Sequence, residues 1–101
     1  MTPQLKNELV EGICLAAQMV MGAPESAALN QKLKDDPDLF AGMEKSLRWT
    51  ERALNDCIAQ GGVDIRFPGH EDYSFRLNVS LGGVQQALKM LDDMRSESQT
   101  A

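Results

Sequence analysis

The stretch GGVDIRFPGHEDYSFRLNVS, residues 61–80, decides the fold, because the hydrophobic period changes there. Before it, apolar residues recur at helical spacing. Within it, Val63, Ile65 and Phe67 alternate with Asp64 and Arg66, and Tyr73, Phe75, Leu77 and Val79 alternate with Ser74, Arg76 and Asn78. Strict alternation marks a strand with one apolar face. Pro68-Gly69 is a favoured central pair for a type II turn, and His70-Glu71-Asp72 lengthens the loop. The segment reads as a β-hairpin over about 63–79. A lone hairpin is marginal in water, so its apolar face must lie on helices.

Those helices are written on either side. Asp36-Pro37 opens a long one and Gly61-Gly62 stops it, predicting a helix over 37–60. Its Leu39, Phe40, Met43, Leu47, Thr50, Leu54, Cys57 and Ile58 fill one arc of about 100°. On the outside, Glu44 can pair with Arg48 and Arg52 with Asp56, each at i,i+4. Upstream, Thr2 caps and Pro3 opens a helix to Met21. Leu5, Leu9, Ile13, Ala16, Ala17 and Val20 share one side of it. Val10, Cys14 and Met21 widen that side to about half the circumference, which requires two neighbours. Gly22 ends it, and a shorter helix from Pro24 to about Lys34 is anchored by Leu29 and Leu33. Downstream, Ser80 caps a closing helix to about Met94, with Leu81, Val84, Ala87, Leu88, Leu91 and Met94 on one side. Residues 96–101 have nothing to bury and should fray. The expected fold is α+β and mostly helical, in the order α-α-α-β-β-α: three helices, a β-hairpin and a C-terminal helix. It forms a single globular domain over 1–95.

A chain of 101 residues, 43% hydrophobic and 25% charged, is the size and composition of one globular domain. Its net charge of −5, from 15 acidic against 10 basic residues, argues against a phosphate backbone or an anionic membrane as target. A basic protein surface is the more natural partner. The apolar run at 13–21 is interrupted by Gln18 and preceded by Glu8 and Glu11, where a secretory signal would be positive. Cys14 and Cys57 lack the spacing of a metal or redox pair and read as two buried, reduced thiols. The chain reads as cytoplasmic.

Chemistry-bearing constellations are sparse. His70-Glu71-Asp72 has proton-transfer character, but three adjacent loop residues point apart, and a general base needs a partner that orients it. Zinc needs three or four ligands, more than one His and two separated Cys supply. The junction Ser80–Gly83 could present amides to a phosphate, yet it lacks both G-x-G-x-x-G and a following Lys. The plainer role of Gly82 and Gly83 is close approach of a first helical turn to the hairpin. The acidic pairs Asp35-Asp36, Glu71-Asp72 and Asp92-Asp93 could mimic nucleic-acid phosphates, but each also suits a helix boundary, a turn or a solvated face.

Trp49 resists such explanations. It lies about 130° from the centre of its helix's apolar arc, beside a strip of Gly42, Ser46 and Ala53. Either the first helix covers it, or it anchors a partner, since Trp and Arg most often carry binding energy. The expectation is a non-enzymatic protein-binding module with no catalytic residues, cofactor or metal. Its contacts would be Lys45, Arg48, Trp49 and Arg52, extended by Arg66 and Arg76 on the hairpin. Inhibitors, antitoxins, immunity proteins, secretion chaperones and phage anti-defence proteins include chains of this kind. A phosphate-binding or enzymatic domain using Ser80–Gly83, or a nucleic-acid mimic, is the alternative. The wide first helix and the hairpin's two open edges also predict a homodimer.

Overall fold

In a computed structural model, the backbone is described at residues 2–22, 24–67 and 70–100, and the side chains of these except at 25, 67, 70–74 and 98–100. Four helices and one antiparallel hairpin follow the expected order: α1 (Pro3–Val20), α2 (Pro24–Asp35), α3 (Pro37–Ala59), β1 (Asp64–Phe67), β2 (His70–Arg76) and α4 (Leu77–Thr100). The fold is mostly helical α+β. No helix among the described residues is long and apolar enough to cross a membrane.

The start signals of α1 and α3 act as read. Thr2 Oγ1 accepts from the Leu5 amide, and Asp36 accepts from the Asp38 and Leu39 amides at the head of α3. That occupies Asp36 as a cap. Gly61 closes α3 at a φ of 90°, a left-handed conformation that disfavours a side chain, and the Gly62 amide returns to the Cys57 carbonyl at 2.9 Å.

Helices α1, α3 and α4 enclose the core, with α2 laid across one corner through Leu33. Leu9, Ala16 and Met19 of α1 meet Leu47 and Leu54 of α3 and Val84, Ala87 and Leu91 of α4. Ile65 of β1 and Leu77 close the bottom.

In the hairpin, Asp64 pairs with Arg76, Ile65 with Phe75 and Arg66 with Ser74; the register then breaks, so that Phe67 meets His70. The proposed turn at Pro68-Gly69 lies outside the described residues, as does the side chain of His70.

Four local expectations are corrected. The second strand stops at Arg76, and α4 begins at Leu77, with its amide bonded to the Val63 carbonyl at 2.8 Å. Leu77 is 3% exposed and Val79 69%, so the two do not share a face as strand alternation required. Their burial follows the helix, in which positions two apart point to opposite sides. Ser80 is therefore inside the first turn of α4, not its cap. The second correction concerns Gly82 and Gly83. A Cβ at either would meet no described atom within 4 Å beyond its own stretch of helix, so among the described residues they permit no close approach.

The third correction is on α1. Cys14 is exposed and Met21 is 71% exposed, so the neighbouring helices leave part of the apolar stripe uncovered. Lastly, α4 runs six residues beyond Met94. There Arg95 bonds to Glu44 of α3, and Lys34 of α2 lies 3.8 Å from Glu97.

Candidate protein-binding surface

The site is built where α1 crosses α3. Gly12 makes the crossing close: a Cβ there would come within 1.9 Å of Thr50 Oγ1. Thr50 is itself buried, and its hydroxyl donates to the Ser46 carbonyl at 2.8 Å, which satisfies a polar group that would otherwise be costly there. The two helices run antiparallel, with Leu15 beside Ser46 at one end and Leu5 beside Cys57 and Gln60 at the other.

Along the outer side of this crossing runs a shallow seam. A groove of about 360 Å³ is walled by Glu8 and Glu11 of α1 and Lys45 of α3, with Leu15 and Trp49 between. Past Trp49 it continues into a second of about 520 Å³, lined by Leu5, Arg52, Ala53 and Asp56. Trp49 is half-buried, packed against the core at one edge and open to the seam at the other. The first helix covers Trp49 in part and leaves one edge open to the seam.

The six expected contact residues fall into separate groups. Lys45, Trp49 and Arg52 line the seam together, and Lys45 and Arg52 are exposed. Arg66 adjoins its far end through Cys57 and Gln60. Arg76 sits across the strand from Asp64. Arg48 faces the other way, 3.4 Å from Glu44 and 3.8 Å from Asp92 of α4. The expected Arg52–Asp56 pair does not form at ion-pair distance among the described residues.

The α3–α4 flank is a closed electrostatic unit. Arg95 bonds to Glu44, lies 3.4 Å from Asp92 and stacks 5.4 Å from the Phe40 ring centroid. The Arg95 hydrogen bond holds the Glu44 carboxyl below its ordinary 4.5, against a smaller opposing effect of burial. With its arginines engaged and Asp92 paired, this flank offers little uncompensated charge. The nearby groove of about 430 Å³ over Leu33, Pro37, Phe40 and Met94 is likewise rimmed by the paired Lys34 and Glu97.

The structure adds Glu8 and Glu11 to the site, which sequence reasoning did not single out. Their i,i+3 spacing on one flank of α1 was visible, but that this flank faces Lys45 was not. Because α4 starts at Leu77, the loop-to-helix junction needed for a phosphate site does not fall at Ser80–Gly83. Among the described residues, no group of three or more His, Cys, Asp and Glu could hold a metal ion. Comparison with known proteins returns no matching family model, no matching curated protein and no matching solved structure.

Proposed function

We propose that this chain is a non-enzymatic, cytoplasmic protein-binding module that inhibits, neutralises or escorts a larger protein, and that it self-associates as a homodimer. The observation that carries the reading is Trp49: a large aromatic, half-open in a seam, flanked by Lys45 and Arg52, neither of which forms an ion pair within 4 Å among the described residues. Aromatic and arginine side chains in such settings supply most of the energy in protein interfaces. The partner's contacting surface carries acidic groups over Lys45 and Arg52 and an apolar side chain over Trp49. Arg66 extends the surface at its far end.

The test is a pull-down from native cytosol with the wild-type chain and with Arg52→Ala, read by mass spectrometry. Arg52 is exposed, so its removal leaves stability within about 0.5 kcal/mol. One stoichiometric protein retained by the wild type and lost with Arg52→Ala supports the proposal. Equal retention by both refutes the assignment of the seam, and no stoichiometric protein at all refutes the binder reading. Trp49→Ala should abolish capture too, at a stability cost of about 2 kcal/mol, half that of a fully buried aromatic.

A further inference from the structure

We infer that a second copy of the chain docks in this seam, about a two-fold axis running along it. The inference rests on the dimer reading above and adds the location. Its ground is charge: the α1 wall of the seam carries Glu8 and Glu11, and the α3 wall carries Lys45 and Arg52, with Asp56 one turn past Arg52. None of the four comes within 4 Å of an opposite charge among the described residues. A face with one acidic and one basic wall is complementary to itself, as an isologous interface requires.

Two symmetry axes can press this face against its copy. An axis across the seam lays α1 on α1 and sets glutamate against glutamate. An axis along it lays α1 on the partner's α3, antiparallel, which also opposes the helix dipoles. Heights along the seam fit the second arrangement. Gly12 and Thr50 are level. At a rise of about 1.5 Å per residue, Glu11 then lies about 1.5 Å, Arg52 about 3 Å and Glu8 about 6 Å from that level, all in one direction. Arg52 therefore points between the partner's Glu11 and the partner's Glu8, and the same pair forms twice. Asp56, one turn on, comes level with the partner's Lys6. Lys45 lies about 7.5 Å from that level in the opposite direction, beyond the partner's glutamates, and Trp49 of each copy lies beside the axis, over Leu15 and Ala53. A larger protein binding Lys45, Trp49 and Arg52 must then displace the second copy.

Sedimentation of the full chain at tens of micromolar tests this. The wild type should sediment as a dimer. Glu8→Arg with Glu11→Arg, and separately Lys45→Glu with Arg52→Glu, should each weaken association at least tenfold with helicity retained, since all four residues are exposed. The two reversed variants mixed in equal amounts should re-associate as a heterodimer, because each then supplies the charge that the other lacks. A monomeric wild type overturns the dimer reading and this inference with it. Dimers that persist in both reversed variants, or a mixture that stays monomeric, overturn the location alone.

Discussion

Gly12 is the residue on which the seam depends. In a helix interior, alanine is favoured over glycine by about 1 kcal/mol, so Gly12→Ala would stabilise an isolated α1. Here the new Cβ would sit 1.9 Å from Thr50 Oγ1 and 2.9 Å from Thr50 Cβ, and the latter cannot swing away. Overpacking of this kind costs about 1–3 kcal/mol, and so close a clash belongs at the upper end. The expected outcome of Gly12→Ala is a net loss of about 1–2 kcal/mol in urea unfolding, partly recovered by adding Thr50→Ala. Because the clash also pushes α1 off α3, the emission of Trp49 should shift to the red in Gly12→Ala. An unchanged spectrum would mean that the crossing absorbs the methyl without moving.

Among the elements, the junction between β2 and α4 shows how one sequence pattern can serve two periods. Phe75, Leu77 and Val79 alternate as a strand requires, yet Leu77, Ser80, Val84, Ala87, Leu88 and Leu91 also line one side of a helix. The helix prevails because it buries Leu77 against the core while the strand pairs only as far as Arg76. Leu77→Ala should cost about 2–5 kcal/mol, the range for a buried leucine, whereas Val79→Ala should stay within about 0.5 kcal/mol. Equal losses at the two positions would restore the strand. For α3, Asp36-Pro37 and Gly61-Gly62 specified both ends from local chemistry alone, since caps and breakers act within a few residues.

At the scale of the molecule, the flank between α3 and α4 is fastened by charges that titrate in acid. Arg95 holds the Glu44 carboxyl below its ordinary 4.5, so the stability it contributes is present above that value and lost as pH falls through the depressed one. The melting temperature of the wild type should exceed that of Glu44→Gln at neutral pH. The gap should close below pH 4.5, and a gap independent of pH would show that packing, not charge, is responsible. The sequence by itself determined the element order, the helix ends of α1 and α3, and most of the core, because period and capping are read from neighbours along the chain. It also singled out Trp49, Lys45 and Arg52. Only the tertiary structure decided that Arg48 belongs with Glu44 and Asp92, and that Glu8 and Glu11 form the wall facing Lys45. Which flank of α3 is covered follows from the approach of α1 at Gly12 and Thr50, a contact between distant parts of the chain that no local pattern encodes.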